Sequence, residues 1–266
     1  MKIAIIGTGN LGKSIAKGLI TSDVITSLYL TKRDINSLSG FNEYSNVELT
    51  SDNLKAVQNS DIIMLAVQPS HLENILKEIE PLLTDKHVLI STITGFPISK
   101  IERIIGKDNY IIRAMPNTAI AVGKSMTCLC ANEKGLDRIK IAEAIFNRLG
   151  NSIVIPESQM QAATVICASG IAFWMRLIRA TTQAAIQLGF DAKEAQELAM
   201  FTSEGAANLL ITTGNHPEQE IDKVTTPKGC TIEGLNEMEH QGLSSSLIQG
   251  MVTSYNKINT IKTEQL

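Results

Sequence analysis

Through the first half of the chain, short runs of aliphatic and β-branched residues alternate with stretches whose apolar positions recur at helical spacing. The runs Lys2–Ile6, Leu28–Thr31, Asp61–Val67, His87–Ile93, Tyr110–Arg113, Met126–Cys130 and Ser152–Ile155 read as strands. Between them, Leu11–Ile20, His71–Ile79 and Ile98–Ile105 carry apolar residues three and four apart. Strand and helix in strict alternation predict a parallel, doubly wound sheet with crossover helices. After Pro156 the β-branched runs thin out and long helical patterns take over, with Ile171, Trp174, Met175, Ile178, Ala185 and Leu188 near one face. Gly189 stops that helix. Asp191 and Glu194 have capping-box spacing and open a second long helix that ends at Gly214. A loop with His216-Pro217 and Thr225–Gly229 then leads to a short helix from near Thr231 to Gly242, and a last helix runs to about Lys257. The expected fold class is α/β, with a doubly wound domain over residues 1–156 and an all-helical domain over 157–266.

Composition narrows the function classes. The 266 residues are 44% hydrophobic and 19% charged, in the range of folded globular chains. The net charge of −3 comes with no basic block, so nucleic acid is not an expected partner. Residues 1–156 carry +2 and residues 157–266 carry −5, which assigns an anionic cofactor to the first half. The four cysteines form no C-x-x-C and no disulfide pattern, so a reducing compartment, the cytoplasm, is expected. The apolar start breaks at Gly7 and Gly9, short of a signal peptide. Ser158–Met175 holds no charge, but its Gln159, Gln161, Thr164, Ser169 and Gly170 argue against lipid. Such a helix is expected to be buried all round, in a core or against another subunit.

Gly7-Thr8-Gly9-Asn10-Leu11-Gly12 is a complete G-x-G-x-x-G directly after a predicted strand and opening a predicted helix. In that setting the glycines allow a tight turn, close approach of a pyrophosphate and close helix–strand packing, and the helix amides face the phosphates. This makes the first domain Rossmann-type. A dinucleotide site for NAD offers an acid after the second strand; here stand Thr31, Lys32 and Arg33, a hydroxyl and two cations suited to the 2′-phosphate of NADP. The same residues also make an ordinary solvated turn, and Asp34 beside them is acidic. Val67-Gln68-Pro69 and Thr92–Gly95, with Thr94, follow predicted strands where such a sheet presents its ligand loops. Asn117, in Met115-Pro116-Asn117-Thr118, suits either a nicotinamide contact or a plain turn. Thr225–Thr231 precedes a helix: the amides of Gly229, Cys230 and Thr231 with the hydroxyls of Thr226 and Thr231 make either an anion site or a simple N-cap. The four histidines show no metal-ligand spacing, and no G-x-S-x-G is present.

These segments together resemble the pyrroline-5-carboxylate reductase family over nearly the whole chain. The resemblance rests on Ile6–Gly12, Arg113–Thr118, Ala168-Ser169-Gly170 and, most specifically, Asp222–Ile232. It implies NADP-dependent hydride transfer to the imine carbon of 1-pyrroline-5-carboxylate, giving L-proline. It also implies a homodimer with interlaced C-terminal helices, alone or within a larger oligomer. The substrate carboxylate would lie on the amides around Gly229, Cys230 and Thr231, and the Thr231 hydroxyl near the imine nitrogen. The chain departs from the family pattern at Gln68 (usually Lys), Cys167 (usually Ser), Ile171 (usually Pro), Phe173 (usually Tyr) and Lys228 (usually Gly). A reductase of another cyclic imine or small oxo acid, and a non-catalytic NADP sensor, are the competing readings. The β-hydroxyacid dehydrogenases fit less well, since Trp174 stands where they carry a lysine.

Overall fold

The computed structural model describes residues 1–20 and 22–264. Eight strands form one sheet: β1 (Lys2–Ile6), β2 (Ser27–Thr31), β3 (Val47–Thr50), β4 (Ile62–Leu65), β5 (Val88–Ser91), β6 (Tyr110–Met115), β7 (Ser125–Ala131) and β8 (Gly150–Val154). Their order is β3-β2-β1-β4-β5-β6-β7-β8. All neighbours pair in parallel except β6 and β7. The reversal follows from the connection: a 3-10 turn over Thr118–Val122, closed by Gly123 at φ +67°, is too short for the crossover a parallel pair needs. β1 and β4 flank the point where strand order changes direction, with Ile3 opposite Ile62 and Ile6 opposite Leu65. In such sheets ligands bind at the carboxyl ends of the strands there.

The helices of the first half are α1 (Asn10–Leu19), α2 (Asn53–Gln58), α3 (Pro69–Ile79), α4 (Ile98–Ile105) and α5 (Ile139–Phe146). Strands covered on both faces read as continuous apolar runs, which is why Ile62–Leu65 is buried at every position. One face of β1 sends Ile3 and Ile5 into a core with Ile15, Leu19, Phe146 and Leu149 from the α1 and α5 side. The other face sends Ala4 and Ile6 against Leu72, Leu76 and Ile101 from α3 and α4. The sequence pattern leaves out β3, α2 and α5, four, six and eight residues long. An Asp52 carboxylate accepting from the Lys55 amide starts α2.

Beyond β8 the chain is helical: α6 (Met160–Ala163), α7 (Gly170–Gln187), α8 (Ala192–Thr213), α9 (Pro217–Val224), α10 (Cys230–His240) and α11 (Leu243–Glu264). A π-helical turn, Thr164–Ser169, joins α6 to α7. Asp191 caps α8 by accepting from the Lys193 and Glu194 amides. The region around His216 was expected to be loop; instead His216 caps α9 with Pro217 at its first position. By packing, the chain forms two units, Met1–Ser169 with the final turns of α11 from Lys257, and Gly170–Asn256.

Ser158–Met175 is not buried all round within one chain. Met160, Thr164 and Val165 are buried, but Ile166, Trp174 and Met175 are 54%, 61% and 60% exposed. By length and composition alone, the helical run Glu157–Gln187 could also cross a membrane. In the second unit, Leu188, Phe201 and Ile211 are exposed as well.

Lys228, in the turn before α10, has φ +60° and is the one non-glycine residue with positive φ among the described residues. This conformation brings Cβ close to the following carbonyl oxygen and costs roughly 1–2 kcal/mol. Lys228→Gly is therefore expected to stabilise the protein by about 1 kcal/mol. A thermal unfolding scan should show a midpoint raised by about 2–4 °C; an unchanged or lower midpoint would show that the turn compensates the lysine.

Candidate functional site

At the end of β1 the backbone turns at Gly7, whose φ is +86°. A Cβ there would lie 2.2 Å from Val67 Cγ1 and 3.0 Å from the Val67 backbone, so no larger residue fits between the carboxyl ends of β1 and β4. Gly12 packs equally closely: a Cβ on it would stand 3.0 Å from the Gly7 carbonyl oxygen. Gly9 differs. It is the N-cap of α1, makes no side-chain cap, and has nothing within 4 Å of the position a Cβ would take. The amides of Asn10, Leu11 and Gly12 thus open the helix beneath empty space, the donor set and clearance a dinucleotide pyrophosphate requires.

Thr31 does not lie at that surface. It is 2% exposed, its hydroxyl accepts from the Gly7 amide at 3.3 Å and donates to Asn53 Oδ1 at 2.8 Å. The expected phosphate ligand is a strut that fixes the glycine turn from below. Arg33 is exposed beyond it and Lys32 is half-buried. The neighbouring Asp34 carboxylate is engaged in capping the 3-10 turn Ile35–Phe41, where it accepts from the Asn36 amide at 3.1 Å. Lys13 Nζ donates to the Ser37 carbonyl oxygen at 2.7 Å, holding that turn against α1.

Val67 packs on the glycine turn, while Gln68 and Pro69 are exposed at the start of α3. Pro69 and Thr94 line one cavity of about 610 Å³ together with Gly95, Pro97, Arg113 and Glu157. Asn117 is only 8% exposed and its amide is spent on the protein. Its Nδ2 donates to the Cys167 carbonyl oxygen at 3.1 Å, and its Oδ1 accepts from the Ala119 amide at 3.0 Å. It holds the loop after β6 in place.

One pair at this cavity went unread in the sequence. Arg113 Nη1 donates to Glu157 Oε1 at 2.8 Å, and the same oxygen accepts from the Ile98 amide at the head of α4, also at 2.8 Å. The guanidinium is buried and the carboxylate half-buried, so removing either would strand the other's charge in a poorly solvated wall. The partners are 44 residues apart in the chain. The only signal for it was Arg113 in the Arg113–Thr118 motif.

In the second unit, the turn before α10 brings Thr226, Gly229, Cys230 and Thr231 together. A Cβ on Gly229 would stand 2.4 Å from Thr226 Oγ1, so the hydroxyl sits directly over this glycine. The Gly229 amide donates to the Thr226 carbonyl oxygen at 2.9 Å. It is therefore closed within the turn, and the open donors begin at Cys230 and Thr231 rather than at Gly229. Gly229 is the N-cap of α10 and no side chain caps the helix. Thr231 is half-buried, whereas Thr226, Lys228 and Cys230 are exposed.

Two family models match the chain. One, described as pyrroline-5-carboxylate reductase dimerisation, covers residues 157–261; the other, NADP oxidoreductase coenzyme F420-dependent, covers residues 2–95. Pyrroline-5-carboxylate reductase 1 of Dictyostelium discoideum is 43% identical over 99% of this chain, which spans about half that relative's length. Pyrroline-5-carboxylate reductase 2 of the same organism is 40% identical over 96% of this chain and 91% of its own. A pyrroline-5-carboxylate reductase structure from Coxiella burnetii superposes with a TM-score of 0.92 at 31% identity, covering 97% of both chains. The Plasmodium falciparum pyrroline carboxylate reductase, solved with NADP bound, gives 0.85 at 25% identity over 98% of both chains. Relatedness along almost the full length, in both the glycine-turn unit and the helical unit, places the chain in the pyrroline-5-carboxylate reductase family of oxidoreductases acting on a C=N bond.

Proposed function

We propose that this chain reduces 1-pyrroline-5-carboxylate to L-proline with NADPH, as a homodimer of interlaced helical domains. The observation that carries the substrate assignment is the Thr225–Thr231 turn, where an uncapped helix start meets the Thr226 hydroxyl and a glycine too crowded for any side chain. NADPH, held over Gly9 and the first amides of α1, supplies the hydride. The Cys230 and Thr231 amides and the Thr226 hydroxyl bind the substrate carboxylate, with the positive end of the helix adding to the attraction. The Thr231 hydroxyl faces the imine nitrogen and orients the ring, so this enzyme's own contribution is chiefly positioning. Arg33 and Lys32 take the 2′-phosphate, since Asp34 is occupied in its cap and leaves both cations to the ligand. Val67, Gln68, Pro69 and Thr94 line the nicotinamide end.

We place the functional division of the chain after residue 156, where the dimerisation match begins. The exposed Trp174, Met175 and Phe201 are then covered by a second copy, which explains an uncharged stretch whose apolar side chains face outward in one chain. The four cysteines, all unpaired, suit a reducing compartment such as the cytoplasm. Lys228, at the substrate turn and in a conformation usually reserved for glycine, favours a second reading: a relative that reduces a different cyclic imine.

Oxidation of NADPH upon addition of 1-pyrroline-5-carboxylate tests the assignment, with a panel of other cyclic imines alongside. The first substrate is expected to be turned over best; a stronger response to another imine would favour the second reading. Thr231→Ala should lower turnover at least tenfold and leave NADPH affinity nearly unchanged, and full activity in that variant would remove the hydroxyl from the mechanism. Arg33→Ala should weaken NADPH about tenfold or more, with NADH scarcely affected. That is the loss of roughly 1.4 kcal/mol of charge-assisted hydrogen bonding. Equal losses for the two nucleotides would contradict the 2′-phosphate assignment.

A further inference from the structure

Cys128, on β7, and Cys167, in the π-helical turn, bring their sulfurs to 3.8 Å across a gap of 39 residues in sequence. Cys128 is 3% exposed and Cys167 half-buried, and both belong to the apolar cluster on the α3 and α4 side of the sheet. Neither thiol has a role in the chemistry above, and Cys167 stands where the family resemblance expects a serine. A serine at this position could not be oxidised. We propose that Cys128 and Cys167 form a reversible redox site, in which a peroxide converts the two thiols to an intramolecular disulfide.

The geometry divides the labour between them. The two sulfurs share a hydrogen bond that brings the Cys167 thiol down to about 7, while the same bond and burial push Cys128 up. Cys167, the more accessible of the two, is thus the attacking thiolate and Cys128 the resolving thiol. The Cys167 thiolate displaces hydroxide from the peroxide oxygen, giving a sulfenic acid as the O–O bond breaks. The Cys128 sulfur then attacks the Cys167 sulfur, the S–S bond forms, the S–O bond breaks, and the departing oxygen leaves as water with the Cys128 proton. Two electrons pass from the thiol pair to the peroxide, and a dithiol reductant reverses the step.

A bonded pair lies at about 2.05 Å, so the sulfurs must close by less than one atomic diameter between elements already packed together. Cys130 lies two residues along the same strand and on the same face as Cys128, and burial pushes its thiol up to about 12. The π-helical turn is a local irregularity of the kind found at functional sites. The Cys167 carbonyl oxygen accepts from Asn117, so the disulfide would tie the loop after β6 and the strand β7 to one turn.

The test uses the full-length reduced protein, treated with a slight molar excess of hydrogen peroxide, alkylated and digested with trypsin without reduction. The expected product is the peptide of residues 125–134, alkylated at Cys130, joined to that of residues 149–176, two hydrogens lighter than the sum of these two peptides and separated again by dithiothreitol. Cys130→Ala should keep this product and Cys167→Ser, a one-atom change, should abolish it. Cys128→Ala should instead leave Cys167 as sulfenic or sulfinic acid. The proposal is overturned if the wild-type protein yields oxidised Cys167 without the cross-link, if the link runs to Cys130, or if it joins two chains on a non-reducing gel.

Discussion

The close approach of three backbones at Gly7 governs the rest of the first unit. The end of β1, Val67 in the loop after β4 and the start of α1 meet with no room for a Cβ, and the Thr31 hydroxyl locks the turn from below. Because the turn is that tight, α1 begins immediately, with its first amides unpaired and facing outward. The same closeness brings Val67 against the turn, so the loops after β1 and β4 share one surface at the strand-order switch. A larger residue at Gly7 would part these elements before it touched any ligand.

Much of this was legible in the chain because strands covered on both faces cannot hide their composition. Ile3–Ile6, Ile62–Leu65 and Val88–Ser91 are almost wholly apolar for that reason. β3 was not legible: four half-buried residues at the sheet edge carry no such constraint. The sequence pattern gives loop at α9, although Pro217 suits a first helical position. At the site, the glycines could be read because their requirement is local. The duties of Thr31 and Asn117 could not, since they depend on Asn53 and Cys167, 22 and 50 residues away. The Arg113–Glu157 pair was hidden for the same reason.

The helical unit poses a different problem. Its helices present Trp174, Met175, Phe201 and Ile211 outward, and the buried positions of α8 are the small Ala195 and Ala199. Small buried residues allow close helix packing within the chain, but the large apolar ones need a partner. Dimerisation, the role for which residues 157–261 are matched, supplies a partner of the right kind: a second copy with the same uncovered faces. The sequence expectation that the uncharged stretch is buried all round holds at most for such an assembly.

The open space over Gly9 is the proposed seat of the pyrophosphate, and one substitution addresses it directly. The protein itself puts nothing within 4 Å of a Cβ there, so Gly9→Ala should fold as the parent does. Titration of NADPH into the parent and Gly9→Ala proteins, followed by nicotinamide fluorescence, should show affinity reduced tenfold or more in the variant, with its far-ultraviolet circular dichroism unchanged. Undiminished affinity in a folded variant would place the dinucleotide elsewhere.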